Sequence, residues 1–162
     1  MTQADQSAPP HLAQGRTWEE MTVGSAFRTA ARTITETDLV NFVTWAGFTE
    51  ALFLDASHAA EAGYTGRLVP GGLIYCIGEG LVLQTNVLNG TGLAFMSMDL
   101  SIKRPVYVGD TVHVVVEVIE ARQASTGQRG VVTTRNTIRN QNGEDVLVYT
   151  PVRLIRGRDY AP

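Results

Sequence analysis

Residues 68 to 82, LVPGGLIYCIGEGLV, restrict the possible folds more than any other stretch of the chain. Pro70 followed by Gly71 and Gly72 is a helix start, since proline's fixed φ suits the first turn and its missing N–H costs nothing there. The spacing predicts a helix over about 71 to 85. Leu73, Ile74, Tyr75, Cys76, Ile77, Leu81, Val82 and Leu83 leave it almost no polar face. It is too apolar to lie in water and too short to cross a bilayer, which takes about 20 apolar residues. Protein must therefore enclose it. Glu79 is its one carboxylate, and the small residues at its start leave N–H groups and the positive end of the helix dipole open to a developing negative charge.

The rest of the chain supplies the enclosure. From residue 92 onward four β-rich runs follow, GLAFMSMDLSIKRPVYV, DTVHVVVEVIEARQ, RGVVTTRNTIRNQ and DVLVYTPVRLIRG. Gly109-Asp110, Ser125-Thr126-Gly127 and Asn142-Gly143 separate them with turn chemistry, which predicts a meander of antiparallel neighbours. Val112, Val114, Val116 and Val118 alternate with His113, Val115, Glu117 and Ile119, as in a strand with one face on a core. Upstream, SAFRTAARTI (25 to 34) reads as a weak strand. TITETDLVNFVTWAGF reads as a helix opened by Thr35 and Asp38 and stopped by Gly47. DASHAAEAGY reads as a second short helix with Asp55 as cap and Gly63 as stop. Together these describe an α+β protein with an antiparallel sheet wrapped around one central apolar helix. One sheet leaves the helix open on the other side, and a homodimer is the expected cover.

With 162 residues, 44 % hydrophobic and 18 % charged, the chain fits one domain. The division expected is an arm over 1–17, the domain over 18–157 and a tail over 158–162. A net charge of -3 argues against a nucleic-acid partner. Cys76 is the only cysteine; it excludes an internal disulfide and points to a reducing compartment, so the cytoplasm is expected, with no membrane attachment. His11, His58 and His113 lack ligand-like spacing with other donors, and no metal is expected.

The order of elements, with GFTEALFLDASHAAEAGYTGRLVPGGLIYCIGEGL and KRPVYVGDTV, resembles the MaoC-like hydratases and dehydratases of the hotdog fold over roughly residues 18 to 157. The resemblance implies a single hotdog domain that dimerises with its sheets running on. It also implies a tunnel at the dimer interface for the acyl chain of a coenzyme A or acyl carrier protein thioester, which is substrate rather than cofactor, and a reaction that hydrates an enoyl thioester or dehydrates a 3-hydroxyacyl one. Such proteins use an aspartate and, five residues later, a histidine, in the form G-D-x-N-P-x-H-x-D. Laid on GFTEALFLD, those positions are Phe48 and Phe53. The His-Gly frequent at the helix start is Pro70-Gly71 here.

That departure bears on mechanism, because phenylalanine has no proton to transfer. The resemblance places Gly71 and Gly72 as holders of the thioester oxygen, and Phe48, Phe53, Leu73, Tyr75 and Cys76 as lining of the tunnel. Glu50 and Glu79 are the candidate catalytic carboxylates. Glu79 lies about 12 Å of helix rise beyond Gly71, as a base or nucleophile of a thioesterase or as an interface hydrogen-bonder to a hydroxyl such as Tyr75 of a partner. Lys103, Arg104, Arg153, Arg156 and Arg158 are candidates for coenzyme A phosphates. Three readings stay open: a hydratase with relocated groups, a thioesterase using Glu79, and a non-catalytic acyl-thioester binding module.

Overall fold

A computed structural model describes residues 13–161. Its elements in chain order are β1 (Ala26–Arg28), β2 (Arg32–Thr33), α1 (Glu36–Ala46), α2 (Ala51–Leu54), α3 (Ala56–Glu61), α4 (Gly71–Gln84), β3 (Gly92–Ile102), β4 (Thr111–Gln123), β5 (Arg129–Arg139) and β6 (Asp145–Arg156). All strand pairings are antiparallel, in the order β1-β4-β5-β6-β3, with β2 also on β4. The weak strand expected at 25 to 34 is two short ones. Thr29 bridges the break, where its N–H donates to the Val114 carbonyl at 3.0 Å and its hydroxyl accepts from the Val114 N–H at 3.0 Å.

The meander holds for β4, β5 and β6 and fails for β3. Instead of pairing with β4, β3 lies beside β6 at the far edge of the sheet. The reason lies in residues 103–110. This segment does not fold back as a hairpin; it crosses beside the start of α4, where Val69 N–H donates to the Val106 carbonyl at 2.9 Å and Leu68 bridges Tyr107. Turn chemistry at Gly109-Asp110 is present, with Gly109 at φ 98°, but it delivers the chain into β4 from the opposite edge.

α4 packs on the inner face of the sheet. Leu73, Ile74, Ile77, Leu81 and Val82 are buried against the inward valines of β4, with Ile138 and Leu147 from β5 and β6. Gly78 lets the helix come close, since a Cβ there would overlap Ile138. The opposite stripe, Gly72, Cys76 and Leu83, is exposed, and so is β3 except for half-buried Met98. Among the exposed large apolar side chains of β3, exposure runs from 39 % at Leu93 to 57 % at Met96.

Residues at both ends of the described chain are bonded to the rest of it. Gly15 N–H donates to Asn89 and Arg16 N–H to Val87, at 2.8 and 2.9 Å, which ties residues 15–17 of the expected arm to the loop after α4. Arg158 N–H reaches Glu19 at 3.3 Å. Residues 1–12, including His11 and most of the expected arm, and residue 162 lie outside the described residues. Among the described residues no helix is long and apolar enough to cross a membrane.

Candidate functional site

Two backbone donors at the start of α4 define the site. Pro70 stands at φ -57°, ψ 139° as the residue before the helix, and no side chain caps it. Leu73 and Ile74 N–H both turn back to the Pro70 carbonyl, at 2.9 and 3.1 Å. That leaves Gly71 and Gly72 N–H without a recorded partner among the described residues, pointing out of the helix end. The Val69–Val106 bond and the Leu68–Tyr107 bridge aim that end by anchoring the chain just before it.

A cavity of about 230 Å³ opens beside Gly71, walled by Phe53, Leu68, Val69, Ile74, Ile102 and Val106, with Tyr64, Pro105 and Arg104 completing it. Ile102 sits so close to Gly71 that a Cβ there would overlap its side chain. Gly72 faces the other way, into an aromatic row: Phe42 to Phe48 ring centroids are 5.1 Å apart and Phe48 to Phe53 are 6.2 Å apart. A Cβ on Gly72 would lie 3.3 Å from Phe42 Cζ. The two donors therefore stand between an apolar cavity and a wall of phenylalanine.

The expected lining residues divide. Phe53 lines the cavity, and Phe48, 39 % exposed, packs at its aromatic rim. Leu73 does not line it: one residue further round the helix, it turns into the buried core. Tyr75 is edge-on to Tyr149, with centroids 5.2 Å apart. Cys76 is exposed on the open stripe of α4 in the single chain.

Glu79 is held by its own chain. Its Oε2 accepts from the Tyr149 hydroxyl at 2.9 Å and its Oε1 from Arg153 at 2.5 Å. Arg153 in turn lies over the Phe95 ring, 5.4 Å from its centroid, and reaches the Thr134 hydroxyl at 3.5 Å. Burial, and next the charge of Glu79, raise the Tyr149 phenol far above its ordinary value, and the same two causes raise Tyr75. The hydroxyl partner is thus Tyr149 in the same chain, where a partner's Tyr75 was one expectation. Beside Tyr149 in the ladder, fully buried Asn136 leaves both its side-chain atoms without a hydrogen bond. The Glu79–Arg153 pair looks out on a cleft of about 390 Å³ bounded by Leu83, Leu93 and Phe95 at the β3 edge.

Other candidates are scattered. Glu50 precedes α2, exposed and without a side-chain capping bond. Asp55 caps α3, accepting from Ser57 N–H at 2.8 Å and His58 N–H at 3.4 Å. Arg153 and Arg156 lie within β6, and Arg153 is buried and engaged by Glu79, so it does not offer a surface phosphate site. Arg104 borders the cavity and pairs loosely with Glu144 at 3.8 Å. Among the described residues no cluster of three His, Cys, Asp or Glu side chains forms a metal site. Sequence reasoning missed Phe42, Ile102 and the Tyr149–Arg153 partnership; strand parity in β6, which puts Leu147, Tyr149 and Arg153 on one face, carried the signal for the last.

The FAS1-like dehydratase domain region model matches residues 21–148. A MaoC domain protein of Chloroflexus aurantiacus superposes with TM-score 0.86 at 27 % identity, covering 95 % of this chain and 44 % of that one. An (R)-hydratase of A. caviae involved in PHA biosynthesis superposes with TM-score 0.64 at 27 % identity, covering 86 % of this chain and 98 % of that one. The mitochondrial 3-hydroxyacyl-[acyl-carrier-protein] dehydratase FERN of Solanum lycopersicum is 30 % identical over 101 residues, which are 62 % of this chain and 58 % of the relative, so the match spans little more than half of that protein. With the family model lying over most of the sheet and all of α4, the chain belongs to the FAS1-like dehydratase domain region family of MaoC-like hotdog proteins.

Proposed function

We propose that the chain binds an acyl thioester, as a member of the enoyl-thioester hydratase and 3-hydroxyacyl-thioester dehydratase lineage. The thioester oxygen accepts from Gly71 and Gly72 N–H and the acyl chain enters the adjoining apolar cavity. One observation carries this reading: the helix starts without a side-chain cap at Gly71, which borders a largely apolar cavity, with the Gly72 N–H next to it. Donors of that kind act on an oxyanion because they are fixed in place before charge develops and need no reorganisation.

Hydration or dehydration also needs a proton carrier within hydrogen-bond reach of the substrate. The two positions where the family resemblance puts one are Phe48 and Phe53 here, and Glu79 is occupied by Tyr149 and Arg153. The isolated chain is therefore expected to bind thioesters while turning them over slowly. A second hotdog chain docked along exposed β3 is the proposed partner, which in a dimer would cover the open stripe of α4. The same engagement of Glu79 disfavours the thioesterase reading.

The test compares Gly71→Pro with Gly71→Ala. Both add the Cβ that must displace Ile102, but only proline removes the N–H, and Pro70 already has the extended conformation that a following proline demands. Relative to Gly71→Ala, Gly71→Pro is expected to weaken binding of butyryl- and crotonyl-CoA about two- to tenfold, the worth of one hydrogen bond. Any double-bond turnover should fall by about 100- to 1000-fold. Equal affinities and rates for the two variants would remove the helix start from the site.

A further inference from the structure

Residues 48–62 lie between two glycines in the left-handed region, Gly47 at φ 73° and Gly63 at φ 90°. Glycine takes that conformation without steric cost, so the chain changes direction sharply at both ends of the segment. Within it, only Ala59 is buried, and α2 and α3 pack chiefly on each other. Phe48 N–H donates to the Val43 carbonyl at 3.0 Å and Thr49 N–H to the Gly47 carbonyl at 2.9 Å, which continue the end of α1. Beyond these neighbours in sequence, one hydrogen bond among the described residues ties residues 48–62 to a distant part of the molecule, from Arg67 to the Phe53 carbonyl at 3.0 Å. The same guanidinium holds Glu36 at the first turn of α1 through two N–H groups, at 3.2 and 3.0 Å. Arg67 itself is fixed by Val108 N–H, which donates to its carbonyl at 3.0 Å. Phe53, the residue whose carbonyl is held, is also a wall of the acyl cavity.

We propose that Arg67 is a positioning residue for that wall: it latches residues 48–62 to α1 and to the β3–β4 crossing and so sets how far Phe53 closes the cavity beside Gly71. The proposal rests on the acyl-thioester reading for the cavity's contents, while the latch stands on geometry alone. With the latch closed, Phe53 limits the cavity, so short acyl chains fit against it. Released, the segment draws away from Gly71 and the cavity opens to longer chains.

Arg67 is 30 % and Glu36 51 % exposed, so the pair lies mostly in water and its effect is modest. Arg67→Ala is expected to raise amide hydrogen exchange in residues 49–62 by about two- to fivefold, the size of an exposed ion pair, with α4 and β4 to β6 unchanged. In parallel, the affinity ratio of butyryl-CoA to decanoyl-CoA should fall by a similar factor. Glu36→Gln, which keeps a carbonyl oxygen for Arg67 but removes the charge, should give an intermediate result. Unchanged exchange in 49–62, or a rise spread over the whole sheet, overturns the latch. Faster exchange with an unaltered ratio overturns the positioning role of Arg67. Failure of the unmodified protein to bind either thioester sinks the acyl-cavity reading itself and with it the role given to Phe53, an outcome separable from the other two because the unmodified protein alone decides it.

Discussion

Glu79 can sit in an otherwise apolar helix because two side chains from β6 come to it. The pair it forms with Arg153 is mostly buried, at 15 % and 8 % exposure, and Phe95 covers the guanidinium. Removing one member of such a pair leaves the other charged and dehydrated, which costs more than the pair contributes. Glu79→Leu is expected to lower unfolding free energy by about 3 kcal/mol, whereas Glu79→Leu with Arg153→Leu should recover most of that loss. Urea unfolding of the two single variants and the double variant measures it. If the double variant is as unstable as the sum of the single ones, the two residues act independently. The partner of Glu79 was hard to read from sequence because it lies seventy residues away, and no local spacing connects a helix to a strand at that distance. What local spacing does contain is the alternation of Tyr149 and Arg153 with outward residues; taken with the lone acid of α4, it limits the choices to very few.

Elements with local causes were legible. Helix α1 starts where Thr35 and Asp38 exchange bonds: Asp38 N–H donates to the Thr35 hydroxyl at 3.2 Å, and Thr35 N–H donates to Asp38 Oδ2 at 2.8 Å. Gly47 ends it in the left-handed conformation, and Asp55 caps α3. α2 escaped because a single turn, ALFL, shows no period. β3 was misplaced because turn residues report only that the chain bends; which edge it joins depends on the crossing beside α4, a long-range feature. Replacing Thr35 with Ala should cost about 1 kcal/mol, measured by denaturant unfolding. Burial pushes the Asp38 carboxyl up, but the Thr35 N–H and hydroxyl and the Arg32 guanidinium outweigh it, leaving the group below its ordinary value of 3.8. A carboxyl depressed on folding stabilises above its unfolded value, and that contribution disappears as pH falls through the folded one. The stability gap between the unmodified protein and Asp38→Asn should therefore be constant near neutrality and close only below about pH 4. A gap already closed at pH 6, or one that does not narrow at all as pH falls below about 4, contradicts this assignment.

At the scale of the whole molecule, two exposed apolar surfaces adjoin: the edge strand β3, with Leu93, Phe95, Met96, Leu100 and Ile102, and the stripe of α4 carrying Cys76 and Leu83. An edge strand offers unpaired N–H and C=O groups to any other strand, and proteins that remain monomeric usually blunt such an edge with lysine, proline or a covering element. β3 has neither lysine nor proline, and its one charged residue is Asp99. Its register shifts at Gly92/Ala94 and Phe95/Ser97 bend the strand without covering it. An apolar helix that the sheet covers on one side only leads to the same requirement from another direction, because its open stripe gains by burial in proportion to the area removed from water. Both surfaces are satisfied at once if a second hotdog chain lays its own edge strand along β3 and its own helix against α4. Met96→Lys puts a charge where that contact is expected to be dry, at a side chain that makes no core contact in the single chain. Sedimentation velocity should show the unmodified protein at twice the chain mass and Met96→Lys at the single mass, with unchanged far-ultraviolet circular dichroism. Loss of assembly should also weaken thioester binding, as the cleft beside Glu79 and the aromatic row at Gly72 open to water together. A Met96→Lys protein that sediments like its parent and binds thioesters equally well would place the functional contact elsewhere on the surface.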